Sequence, residues 1–140
     1  MGSLTERIAT AVPPQRVWAV VVDFEGRPHW APRVKEATLL DGPPLREGSR
    51  IRLRVDRDRF TSTVVELQPE KRLVLLVQGP GFRVHHTYEL DPSGGGTVVS
   101  LTGDYRGMIG GLVSRFMRGS IRRDLVDELA AIKGAAEAAL

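Results

Sequence analysis

The apolar positions change period twice along the chain, and those changes divide it into elements. In residues 3–11, Leu4, Ile8 and Thr10 share one phase, which predicts a short strand. Val12-Pro13-Pro14 ends it, because proline cannot donate to a ladder, and Pro14 suits the first turn of a helix. Val17, Val20, Val21 and Phe24 then recur at helical spacing. Residues 23–32, with Gly26, Pro28 and Pro32, read as a second short helix or turn carrying His29 and Trp30.

From Arg33 the period becomes two. Residues 33–40 predict a strand stopped by Asp41-Gly42-Pro43-Pro44. In residues 49–57, Ile51, Leu53 and Val55 share one face and Arg50, Arg52 and Arg54 the other, the pattern of a half-buried antiparallel strand. A tight turn at residues 56–59 leads to a returning strand over 60–67, and residues 72–78 form a near-continuous apolar strand turned by Gly79-Pro80-Gly81. Phe82, Val84, His86, Tyr88 and Leu90 are in phase on the next strand, and residues 91–96 read as a flexible hairpin loop. Val99, Leu101, Gly103 and Tyr105 are in phase on the last one. The period then shifts to 3.6: Ile109, Leu112, Val113, Phe116, Ile121, Leu125, Leu129, Ile132 and Ala136 make the stripe of one long amphipathic helix. Gly119 lies inside it at a cost of about 1 kcal/mol relative to alanine.

The order is one strand, two short helices, six strands and one long helix, an α+β arrangement. Consecutive hairpins favour an antiparallel sheet, here of seven strands, and a twisted sheet can curl around one long helix and bury its stripe. A length of 140 residues suits a single domain over residues 1–140 with one core.

Composition narrows the function classes. There is no cysteine, which excludes disulfides, thiolate catalysis and zinc–thiolate sites and makes a reducing cytoplasm the expected location. No apolar run approaches the roughly 18 residues of a membrane helix, and the N-terminus lacks the basic-then-apolar pattern of a secretory signal. The net charge of +3 implies mild affinity for anionic surfaces. Nucleic-acid binding is not expected, since aromatic residues are only 6% of the chain and no recognition module is present.

Several segments carry a resemblance. Val12-Pro13-Pro14-Gln15-Arg16-Val17-Trp18, Asp23-Phe24 and His29-Trp30-Ala31-Pro32 resemble the opening of the START-like, or SRPBCC, superfamily. Glu66-Leu67-Gln68-Pro69, Tyr88-Glu89-Leu90-Asp91-Pro92 and Gly96-Thr97-Val98-Val99 resemble its later strand ends. Each motif alone is weak, while their order and spacing over nearly the whole chain are specific for the fold. The resemblance implies the helix-grip fold, a curved seven-stranded antiparallel sheet around the C-terminal helix, with a small hydrophobic ligand held between them. It also implies a small bacterial member of the polyketide cyclase/dehydratase type. Aromatase/cyclases of the group carry an inward arginine on the strand that ends in an acidic-Pro turn; here Val65 stands at that place.

Strand phase then nominates a site. If Tyr88 and Leu90 point inward, so do His86, Val84 and Phe82, and on the last strand Tyr105, Leu101 and Val99. The expected apolar lining is Phe24, Trp30, Phe82, Val84, Tyr88, Leu101 and Phe116, with His86 and Tyr105 as acid/base candidates, since histidine titrates near neutrality. The plainer reading of His86 is a hydrogen-bonded core histidine, and of the tyrosines core packing. A bulky side chain at Gly103 would fill the cavity. Glu6 is in phase with Leu4 and Ile8, but a solvated Glu6 is the expectation.

No cofactor is expected. His85 and His86 face opposite ways in a strand, and no metal-ligand spacing, Gly-x-Ser-x-Gly elbow or phosphate loop occurs. Arg115, Arg118 and Arg122 lie on one side of the long helix. They read either as a solvated face paired with Asp124, Asp127 and Glu128, or as a docking surface for an acidic carrier protein or anionic membrane. A valine-rich edge is compatible with a homodimer. Two functions remain open: a cofactor-independent cyclase/dehydratase, or a carrier for a lipid, quinone or other apolar metabolite.

Overall fold

The computed structural model describes residues 2–107, 109 and 117–138. β1 (Gly2–Thr10) leads through α1 (Pro14–Val21) and α2 (Arg27–Trp30) to six further strands. These are β2 (Val34–Leu39), β3 (Arg50–Val55), β4 (Asp58–Gln68), β5 (Arg72–Gly79), β6 (Phe82–Ser93) and β7 (Gly96–Arg106), followed by α3 (Arg118–Ala138). The strands form one antiparallel sheet of order β1-β7-β6-β5-β4-β3-β2. Register shifts between Val34 and Glu36, and between Val64 and Glu66, are bulges, and such irregularities bend a strand. The expected helix-grip architecture is the one observed.

Two boundaries differ from the sequence expectation. The β6–β7 hairpin is longer than the breaker-rich residues 91–96 suggest: Asp91, Pro92 and Ser93 still pair with Val98, Thr97 and Gly96. Only Gly94 and Gly95 turn, both at positive φ, as a two-residue hairpin turn of the primed type requires. Proline is tolerated there because β6 has no β5 partner beyond Glu89. At the other end, the described part of the long helix starts at Arg118. The expected first turns, with Leu112, Val113, Arg115 and Phe116, lie outside the described residues.

The core follows the periods. Ile51, Leu73, Val99 and Leu101 from the sheet meet Val17 and Val21 of α1 and Leu125, Leu129 and Ile132 of α3, all buried. α3 packs on β1, β7 and α1. Two polar contacts fasten it to β1: Arg122 pairs with Glu6 at 3.3 Å, and the Thr10 hydroxyl donates to Glu137 at 2.9 Å. Glu6 therefore serves the helix rather than the open solvent. Among the described residues no helix is long and apolar enough to cross a membrane.

This packing carries the first prediction. Ile132 has no exposed surface and belongs to the buried core cluster. Ile132→Ala should cost about 2–5 kcal/mol, read from the urea midpoint at unchanged m value. A loss below about 1 kcal/mol would mean that α3 is not seated as described.

Candidate functional site: a cavity between sheet and helix

A cavity of about 880 Å³ lies between the sheet and α3. It belongs to the upper part of the usual range for small-molecule sites, about 300–1,000 Å³. It exists because of the helix sequence. Where α3 faces the cavity it carries Ala131, Gly134, Ala135 and Ala138, side chains too short to fill the space to the sheet. Leu53, Phe60 and Leu75 form much of the opposite wall.

The polar heart of the cavity is an ion pair. Arg27, the first residue of α2, is 4% exposed. One of its terminal nitrogens donates to Glu128 Oε2 of α3 at 2.9 Å, and the other to the Val21 carbonyl at 2.9 Å. The Tyr88 hydroxyl donates to the same Glu128 oxygen. Aromatic faces close around the guanidinium, with the Phe24, Trp30 and Tyr88 ring centroids 4.4, 5.4 and 5.6 Å from its central carbon. Burial lowers the affinity of Arg27 for its proton, but Tyr88 and Glu128 more than offset that, so it stays charged. Burial likewise pushes the Glu128 carboxyl up, and the Arg27 charge, the Tyr88 hydrogen bond and His86 outweigh it, holding the group below the usual carboxylate range. Burial first, then Glu128, drives the Tyr88 hydroxyl well above its ordinary value, so it remains a donor.

Two ring side chains stand uncommitted. His86 and Tyr105 both line the cavity, and neither has a hydrogen bond to another described residue. Their rings meet edge to face at 6.4 Å. Gly103 explains the meeting. It faces His86 across the β6–β7 register, and a Cβ there would lie 2.8 Å from the Tyr105 ring. The missing side chain is the slot into which Tyr105 folds, so a bulky residue at 103 displaces Tyr105 before it fills the cavity. Burial, chiefly, holds the His86 imidazole below its ordinary value, and Arg27 and His85 add to this against the pull of Glu128. Burial, with Asp124 and Glu128, pushes Tyr105 up to about 12. At neutral pH the cavity thus offers a neutral imidazole and a neutral phenol.

At the rim, Arg33 joins two elements. Its guanidinium pairs with Asp56 on the β3–β4 turn, at 2.9 Å from Nε, and with Asp124 on α3. All three line the cavity.

Of the residues nominated from sequence, Phe24, Trp30, His86, Tyr88 and Tyr105 line the cavity together. Leu101 sits in the fully buried core beside it. Phe82 lies over Gly79 at the β5–β6 turn, and Val84 pairs with Tyr105 and Val77; neither lines the cavity. Phe116 is outside the described residues. The sequence reading missed Arg27 altogether and placed Glu128 and Asp124 on a solvated face among arginines of their own helix. Both instead pair across the cavity, with Arg27 and Arg33. The signal was present: Phe24, Arg27 and Trp30 recur at intervals of three, and Glu128 stands three after Leu125 and four before Ile132, within the apolar stripe. Val65 is 42% exposed beside the β4 bulge, and the buried guanidinium of this cavity is that of Arg27 on α2.

The family model described as polyketide cyclase / dehydrase and lipid transport matches residues 1–137. The chain belongs to that family. Solved structures agree on the fold. A START superfamily protein from Mycobacterium smegmatis is 19% identical over the full length of both chains, with a TM-score of 0.76. A Streptomyces aromatase/cyclase is 19% identical, covering 96% of this chain and 93% of its own, with a TM-score of 0.77. A Thermus thermophilus protein is 22% identical over 98% of each chain, with a TM-score of 0.79. No curated protein matches the chain in sequence. At these identities the structures show the family's fold, and the cavity chemistry has to be argued from this chain's own residues.

The buried pair and His86 both make the fold acid-sensitive. His86 has a folded-state pKa below its unfolded value, so it contributes nothing above that value and costs stability as pH falls through the window beneath it. Glu128 is depressed as well, so its stabilisation is present above the ordinary carboxylate pKa and is lost as pH falls further. Stability should therefore decline in two stages on acidification from pH 7.5, and His86→Gln should remove the upper stage alone. Denaturant titrations at stepped pH read this; an unchanged upper stage in the variant would show that His86 is not buried in its neutral form.

Proposed function

We propose that this protein binds a small apolar molecule in the cavity and catalyses cyclase/dehydratase-type proton transfer on it without a cofactor. The observation that carries the reading is the pair His86 and Tyr105, edge to face in the cavity and without a hydrogen bond to a described residue, beside an Arg27–Glu128–Tyr88 cluster whose members bond to one another. A neutral imidazole can take a proton from carbon or oxygen, and a phenol that stays protonated can donate to the oxygen on which charge develops. Phe24, Trp30 and the alanine face of α3 hold the apolar body of the ligand. Family membership and the fold shared with a Streptomyces aromatase/cyclase support the same direction.

A second reading, a non-reactive carrier for a lipid, quinone or similar metabolite, is favoured by one observation. Val65, exposed, occupies the strand place where the aromatase group carries an inward arginine. Turnover of a linear poly-β-carbonyl thioester separates the two. General acid–base catalysis contributes about 10²–10⁴ in rate, so His86→Ala should lose at least about 100-fold in kcat, and Tyr105→Phe a smaller factor, with binding of the neutral dye Nile red retained. Equal turnover in His86→Ala removes His86 from the chemistry, and binding without turnover by the unaltered protein establishes the carrier.

A further inference from the structure

The cavity of this basic protein is acidic. The chain carries +3 overall, yet the cavity is lined by two arginines and five carboxylates: Arg27 and Arg33 against Asp56, Asp58, Asp124, Asp127 and Glu128. More decisive than the count is its arrangement. Arg27, the cation at the deep end, is already neutralised by Glu128 at 2.9 Å, and Arg33 at the rim is held between Asp56 and Asp124. Both terminal nitrogens of Arg27 are engaged, its one unpartnered nitrogen, Nε, is itself buried, and Arg33 is taken by its two carboxylates. Arg57 and Arg59 flank Asp58 on the hairpin but lie outside the lining.

We infer that the cavity selects electrically neutral amphiphiles, presenting a carbonyl or hydroxyl oxygen at the deep end, and rejects carboxylates, with Glu128 as the specificity-determining residue. The inference rests on the ligand-binding reading above and deepens it. A carboxylate entering this site would be desolvated beside Glu128 without a free cation, and a buried charge without a partner is strongly disfavoured. A neutral oxygen meets no such cost and finds donors in His86 and Tyr105, which lack protein partners among the described residues. The apolar chain then runs along Ala131, Ala135 and Ala138. Glu128 sets the sign of this selection because removing its charge alone, while keeping its shape, converts Arg27 from a neutralised cation into a free one inside the cavity.

The test is competition against Nile red at pH 7.5 with three probes of equal chain length: 2-dodecanone, dodecanoate and dodecylamine. For the unaltered protein, 2-dodecanone should bind at least tenfold more tightly than dodecanoate and no less tightly than dodecylamine. In Glu128→Gln the ratio of dodecanoate to 2-dodecanone affinity should rise at least tenfold. Dodecanoate binding as well as the ketone in the unaltered protein overturns the inference, and this comparison needs no variant to fold. Preferred binding of dodecylamine overturns it too, since the cavity would then be a cation site. An unchanged ratio in a folded Glu128→Gln overturns the role of Glu128. Failure of Nile red and of all three probes to bind would sink the ligand-binding reading itself, an outcome distinct from a wrong charge preference.

Discussion

A guanidinium 4% exposed inside a small domain has to be neutralised where it stands, and the rest of this site is arranged around that demand. Taking an ion out of water costs several kcal/mol, recovered only when the partner is close and the remaining donors are satisfied. Arg27 draws its partners from across the fold: a carboxylate from α3, a carbonyl at the end of α1, and ring faces from α2, β6 and the segment between the first two helices, with only its Nε left unpartnered. The pair therefore fixes more than itself. With Glu128 aimed at Arg27, the rotation of α3 about its axis is set, and residues three, seven and ten positions further on, Ala131, Ala135 and Ala138, come to the same side and open the cavity.

That arrangement divides the polar groups into those that hold and those that remain free. Tyr88, by phase as good a chemical candidate as Tyr105, is committed to Glu128 and belongs to the scaffold. Tyr105 is free because Gly103 gives its ring a slot beside His86, away from the carboxylate. Two tyrosines of equal intrinsic chemistry thus acquire different roles from a single hydrogen bond and a single missing side chain.

The fold was legible because each element states its period clearly and the hairpins follow one another without a crossover. Where the reading slipped, a local rule was overridden by position. Asp91 and Pro92 look like breakers, but on β6 they lie beyond its partner β5, where a missing N–H costs nothing. The site was legible in part. Strand phase put His86, Tyr88 and Tyr105 on the concave face, but phase names a face and not a place along it. Phe82 and Val84 share that face and lie past the cavity, while Leu101 lies beneath it. The ion pair was illegible for a different reason. Arg27 and Glu128 are 101 residues apart, and a charged side chain in a sequence is read as solvated unless its partner is known.

The lining also separates two properties that are often set by the same residues. Charge is decided in the first half of α3, where Asp124, Asp127 and Glu128 reach the cavity, and length in the second, where alanines and Gly134 leave it empty. Enlarging one of those alanines would shorten the space without touching the Arg27 pair, and altering Glu128 would change the charge without changing the space. The buried stripe of Leu125, Leu129 and Ile132 shares the seating of the helix with the Arg27 pair, so a substitution that keeps the shape of Glu128 alters charge with the least disturbance of that seating. A helix so divided lets a single cavity be retuned for ligand size and for ligand polarity in separate steps, which is a physical reason for one fold to serve both as a catalyst and as a carrier.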